Sequence, residues 1–216
     1  MIDLSSFGIT YFPSGQHSVS LVPSLPSHFA RNPGEQDQSL TQVLYPAHSV
    51  NPAQDPVGGA NFYTSPIDLS SATNITLQYN VFFPAGFGWV RGGNLPGLYG
   101  DRMGYSDGID AENCFSTRLM WRAGGIAGIA LFIAWVNMQH GLWVFNWSWL
   151  LRLDEWLLDT VTQTLVLNAE EKAHGWFTLW VNDKTGCILP RPRPVFSSKA
   201  YQDDFWKPLV LQEAIP

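Results

Sequence analysis

Residues 74–83, "NITLQYNVFF", alternate polar and apolar as far as Val81. Ile75, Leu77, Tyr79, Val81 and Phe83 fall on one side of an extended chain, and Thr76, Gln78 and Asn80 on the other. Successive side chains of a strand point to opposite faces, so this stretch predicts a β-strand with one face buried and one wetted. "FSTRLMWR", residues 115–122, repeats the pattern, with Phe115, Thr117, Leu119 and Trp121 set against Ser116, Arg118, Met120 and Arg122. "TVTQTLVL" (160–167) and "WFTLWV" (176–181) read as a further strand pair, joined by the polar loop "NAEEKAHG". No convincing alternation of strands with helices accompanies these runs. The prediction is therefore an all-β chain, two antiparallel sheets packed as a sandwich. "WLLRLDEWLLD" (149–159) fits a helical period as well as a strand period and leaves that element open.

The composition bounds what such a sandwich can bind. Of 216 residues, 45% are apolar and ten are tryptophan, enough for a sizeable core. Charged residues are only 14%, below the usual quarter, so polar contacts must come from Ser, Thr, Asn and Gln. A formal charge of −6 argues against a nucleic-acid partner, whose phosphates need a basic face. It also gives an acidic polymer no long-range attraction, so local arginines must hold any such ligand. Cys114 and Cys187 allow one disulfide and establish none. The opening "MIDLSSFGIT" has neither the basic start nor the apolar run of a secretory signal.

Residues 1–38 are rich in Ser, Pro and Gly and are expected to form an irregular lead-in; 39–184 form the sandwich. Within it, 123–151 is an atypical apolar insert free of Lys, Arg, Asp and Glu. Its purely apolar part, Ala123 to Val136, falls short of the roughly 20 residues a membrane span needs, and buried sheet is the expectation. Residues 185–216 are punctuated by Pro190, Pro192 and Pro194 and read as a surface tail, which leaves the sandwich incomplete at its C-terminal end.

Taken together, "YNVFFPAGFGWVRGGNLPGLYG" (79–100) and "CFSTRLMWR" (114–122) resemble polysaccharide lyase family 14 and the related fungal glucuronan and alginate lyases. "PVGGANFYTSPIDLSSATN" (56–74) and "TVTQTLVLNAEEKAHGWFTLWVNDK" (160–184) fit the same pattern. The resemblance implies a β-jelly roll whose concave sheet grips an acidic polysaccharide outside the cell and cleaves it by β-elimination, with no cofactor. That reaction needs a group to neutralise the uronate carboxylate, a base for the carbon-bound proton and an acid for the departing oxygen. Members of the family typically carry a lysine in the glycine loop, a Ser-x-Arg pair on the next motif strand, and tyrosines shortly after.

The pair is present as Ser116 and Arg118, which alternation puts on one face; the guanidinium fork of Arg118 suits a carboxylate. Asn94 stands where the family has lysine, and its amide can bond a carboxylate but neither accept a proton nor supply charge. Matching "AGGIAGIALFIAW" to the family strand puts Ala130 and Phe132 at the tyrosine positions. The resemblance thus implies a catalytic set of Arg118, Ser116, Asn94 and Tyr99, with Arg91, Arg122, His48 and Trp176 contacting substrate, and the acid/base groups largely replaced. Because 123–151 departs from the family pattern, retained non-coding sequence is a second account of it, which a transcript sequence tests.

Plainer readings stand beside these. Arg118 and Arg122 can be solvated strand residues, and Tyr99 can pack beneath the glycine loop. Trp176 and Trp180 share a strand face with Thr178 and suit either a sugar platform or the core, core packing being the expectation. Asp101, Asp107, Asp110 and Glu112 are oxygen ligands suited to calcium but lack EF-hand spacing, so a solvated loop is expected. Three function classes remain: a uronate lyase with weak or lost activity, a non-catalytic carbohydrate-binding module, and a membrane-associated protein using 123–151.

Overall fold

The computed structural model describes residues 8–22, 40–89, 92–100, 115–133, 144–153, 158–167 and 175–188. They form thirteen strands, all paired antiparallel. In chain order these are β1 (Ile9–Ser14), β2 (Val19–Val22), β3 (Leu40–Val43), β4 (Asn61–Thr64), β5 (Asn74–Phe82), β6 (Gly93–Asn94) and β7 (Tyr99–Gly100). They continue as β8 (Phe115–Trp121), β9 (Ile126–Ile133), β10 (Val144–Arg152), β11 (Leu158–Val166), β12 (Trp176–Val181) and β13 (Lys184–Ile188). Among the described residues no helix is long and apolar enough to cross a membrane.

Two sheets make the sandwich. One runs β10-β9-β8-β6, with β7 also paired to β8; the other runs β13-β12-β11-β5. The alternation in 74–83 and 115–122 sorts as predicted. Tyr79, Val81 and Phe83 from one sheet and Leu119 and Trp121 from the other are all buried in one core, with Val161, Leu165, Phe177 and Leu179. Burying such a side chain contributes about 1.5–3 kcal/mol before entropy is counted. Rings close one end of this core: Phe83 lies 4.5 Å from Trp89, 5.0 Å from Phe87 and 5.6 Å from Trp121, centroid to centroid. The expected pair of 160–167 and 176–181 is β11 and β12, in unbroken register from Val161 opposite Val181 to Val166 opposite Trp176. Asn182 and Asp183, at φ 50° and 59°, make the two-residue turn into β13; two positive φ values in a row match the twist of a hairpin.

The lead-in departs from expectation, and the described parts of the apolar insert are sheet, as expected. Residues 9–14 and 19–22 are strands: β1 pairs with β4 and β2 with β3, as two short ribbons around a second core of Val19, Val43, Ala60 and Phe62. Their short apolar runs lie too close to Ser, Pro and Gly for local pattern to reveal them. Residues 126–133 and 144–152 occupy β9 and β10, in register with β8 and with each other, so this stretch is an integral part of the sheet. The described residues of the open element in 149–159 are the end of β10 and the start of β11, held extended by pairing of β10 with β9 and of β11 with β5 and β12; 154–157 lie outside the described residues. The described part of the tail adds β13 as far as Ile188; the prolines beyond it lie outside the described residues.

Candidate functional site

Strand β8 organises the candidate site. Its inward side chains, Thr117, Leu119 and Trp121, enter the core, so Ser116, Arg118 and Met120 face the other side of the sheet. Asn94 of β6 is in register with Met120 and Tyr99 of β7 with Ser116. Residues paired across antiparallel strands share a face, so Asn94, Ser116, Arg118 and Tyr99 lie together; diagonal neighbours such as Asn94 and Arg118 are about 7–8 Å apart. Arg118, Asn94 and Tyr99 are half-buried. Ser116 is 3% exposed, which withdraws its hydroxyl from solvent and makes it a support for the face rather than a group offered to ligand.

The glycine-rich stretch 92–100 is one strand broken in the middle. Between β6 and β7 the chain dips into the sandwich: Leu95 donates its N–H to the Leu119 carbonyl, and Thr117 donates its own to that of Leu98. At the bottom, a buried polar network receives it. The Pro96 carbonyl accepts from the Tyr79 hydroxyl at 3.1 Å and from Gln163 Nε2 at 3.0 Å. Thr117 Oγ1 donates to Gln163 Oε1 at 2.6 Å and accepts the Leu98 N–H at 2.9 Å. Gln163 belongs to the opposite sheet and is fully buried, so this network ties the two sheets together beneath Arg118. Burial pushes the Tyr79 hydroxyl well above its ordinary pKa, keeping it a neutral donor.

Close packing against β8 accounts for two of the glycines. A Cβ on Gly97 would lie 2.6 Å from the Thr117 carbonyl oxygen and 2.8 Å from Arg118 Cα; one on Gly93 would overlap the Trp121 ring. They let the broken strand press against β8. Tyr99 is fixed from outside by the β1–β4 ribbon: its ring meets Tyr63 edge-on at 5.5 Å, and Tyr63 stacks on Tyr11 at 5.9 Å. On the far side of β8, Ala130 is in register with Arg118 and Phe132 with Ser116, the places where the family pattern has tyrosines.

The remaining candidates scatter. Arg122 is exposed at the turn from β8 into β9, where its N–H bonds the Ile126 carbonyl. His48 is exposed on the β3–β4 loop at φ 69°, outside the sheet that carries Arg118. Trp176 is neither core nor part of this face. It is 40% exposed on the outer side of the other sheet, because Phe177, Leu179 and Val181 take the inward positions of β12. Arg91, Cys114 and the acidic loop with Asp101, Asp107, Asp110 and Glu112 lie outside the described residues. Among the described residues no three His, Cys, Asp or Glu gather as a metal site. Sequence reasoning missed Gln163 and Tyr63; a glutamine at an inward position of "TVTQTLVL" was the available signal for the first.

Comparison with known proteins matches this architecture. The alginate lyase of Aplysia kurodai, a marine polysaccharide lyase of family 14, superposes with a TM-score of 0.67 at 23% identity, over 94% of this chain and 80% of that one. The alginate lyase vAL-1 from Chlorella virus superposes with a TM-score of 0.50 at 19% identity, over 71% of this chain and 66% of that one. A variant of alginate lyase Aly36B in complex with an alginate tetrasaccharide gives 0.53 at 16% identity, over 72% and 63%. At these identities the likeness establishes the jelly-roll sandwich alone. No curated protein matches in sequence. A family model described as Polysaccharide lyase 14 matches residues 33–189, which include both sheets, the broken glycine strand and the Ser-x-Arg pair on β8, and the chain therefore belongs to the polysaccharide lyase 14 family.

Proposed function

We propose that this protein binds a uronic-acid-containing polysaccharide across the outward face of β8 and eliminates across its glycosidic bonds slowly or not at all. The observation that carries the reading is the register of β8: half-buried Arg118 is flanked by Asn94 and Tyr99 on one side and by Ala130 on the other. Arg118 pairs with the uronate carboxylate through its fork, and the Asn94 amide donates a further hydrogen bond. Together they draw charge from the carbon that must lose its proton. At the positions where the family pattern has lysine and tyrosine no base stands: Asn94 accepts no proton, and neither Ala130 nor Phe132 is a titratable residue type. Membership of a lyase family and the alginate named for the structural relatives support the substrate class.

The test is incubation with alginate and with glucuronan, following the ultraviolet absorbance of unsaturated ends, alongside calorimetric titration with uronate oligomers. The expected result is binding with little product, and Arg118→Ala weakens that binding by roughly ten- to a hundredfold, the worth of a charged hydrogen bond of about 1.5–3 kcal/mol. Rapid turnover overturns the weak-activity part of the reading, and absence of binding to both polymers overturns the whole. A second reading, an active lyase, rests on Tyr99, whose register beside Ser116 puts a phenol on the same face. Turnover abolished by Tyr99→Phe selects it.

A further inference from the structure

The sheet β13-β12-β11-β5 turns a second face to solvent, on the opposite side of the sandwich from Arg118. Trp176 and Trp180 stand on it at 40% and 38% exposure, four residues apart on β12 and hence about 13 Å apart along the strand. Strand β12 lies between β11 and β13, so these indoles are exposed in the interior of a sheet and not at its edge. Beside them run rows of hydroxyls and amides. Thr76 and Thr164 are hydrogen-bonded through their hydroxyls at 2.9 Å, Gln78 Nε2 donates to Thr162 Oγ1 at 3.2 Å, and Thr160 Oγ1 donates to Asn80 Oδ1 at 2.8 Å. Thr162 is in register with both Gln78 and Trp180, so an amide, a hydroxyl and an indole form one row across three strands. Among the described residues, the outward positions of β5, β11 and β12 carry no Lys, Arg, Asp or Glu.

We propose that this face is a second glycan-binding site, and that its ligand is a neutral polysaccharide of flat pyranose rings, chemically distinct from any uronate bound at Arg118. Indole faces take the apolar C–H side of a pyranose, and the hydrogen-bonded rows hold donors and acceptors in fixed positions for equatorial hydroxyls. Charge selects between glycans. A uronate polymer finds no cation among the described outward residues of β5, β11 and β12 and meets a chain of net charge −6, whereas a neutral polymer loses nothing by either. A protein partner needs a contiguous apolar centre, and between the two indoles this face offers Thr178 and Thr164 instead. The inference stands on this face alone and does not depend on the reading of β8.

Affinity electrophoresis of the intact chain in gels containing hydroxyethylcellulose, or alginate as the acidic counterpart, tests it. Retardation by the neutral glucan is expected, at least tenfold weaker in the W176A/W180A double variant and largely kept in W176F/W180F, which retains rings. Thr178→Arg, placed between the indoles, blocks the same binding without removing either, and circular dichroism of each variant checks its fold. Arg118→Ala leaves the glucan retardation unchanged, which separates this site from the one on β8. No retardation by the glucan, or equal retardation of the double variant, overturns the proposal. So does a monomer–dimer equilibrium in sedimentation that the double variant abolishes while glucan binding is absent, since the face then belongs to a second copy.

Discussion

Replacing Gln163 by leucine removes the centre of the network beneath the glycine strand. Two hydrogen bonds vanish, to the Pro96 carbonyl and from Thr117, while Tyr79 still serves Pro96 and Leu98 still serves Thr117. Each bond is worth about 0.5–1.5 kcal/mol net, and the Thr117 hydroxyl is left buried with its proton unpaired, so the cost is about 2–4 kcal/mol. For a chain of this size that is a fall in Tm of about 4–16 °C. Thr117→Val costs a similar amount, because the Leu98 N–H and Gln163 Oε1 lose their partner. The two changes share the 2.6 Å bond between Thr117 and Gln163, so the double variant is less destabilised than the sum, by about 1 kcal/mol or more. Urea unfolding followed by tryptophan fluorescence measures all three. Strict additivity, within about 0.5 kcal/mol, refutes the reasoning, because it means the two side chains do not meet in solution.

Gly97→Ala forces a methyl to within 2.6–2.8 Å of the β8 backbone, so it destabilises by about 1–3 kcal/mol and, on the proposed function, weakens uronate binding by displacing Asn94 and Tyr99; full stability and binding would contradict the packing reason for this glycine. Phe83→Ala removes the fully buried ring that Phe87, Trp89 and Trp121 surround and costs about 3–5 kcal/mol in the same urea assay; a loss below 1 kcal/mol means that end of the core is not closed. Burial raises the Tyr79 and Tyr45 hydroxyls, so folding holds their protons while the unfolded chain releases them above about pH 10. Stability is therefore fully present below that pH and falls above it by roughly 1.4 kcal/mol per pH unit for each such tyrosine, and Tyr79→Phe removes one share of the slope. An unchanged slope in the variant would show that Tyr79 is not buried.

Much of the fold was legible because burial imposes a period of two on any strand with one dry face. Residues 74–83 and 115–122 sorted their side chains between two faces as the structure has them, whereas in 176–181 core packing was expected of Trp176 and Trp180 and the inward positions belong to Phe177, Leu179 and Val181. The candidate site was half legible. The alternation Ser116, Arg118 is local, but its relation to Asn94 and Tyr99 depends on a register between strands some twenty residues apart. The short ribbons of β1 to β4 escaped notice because strands of four to six residues with mixed burial carry little periodicity.

By itself the sequence determined the class of fold, which residues of 74–83 and 115–122 share a face, and the family motifs that point to acidic sugars; all are set by which side chains water rejects and by residue identity along the chain. Only the tertiary structure decided that the glycines exist to let a broken strand press on β8, that Ser116 is closed off, and that Trp176 looks away from Arg118 on the other sheet. Alternation says that two residues share a face, never which of the sandwich's faces is dry. That choice falls to long-range pairing, whose partners are spread along the chain from residue 9 to residue 188.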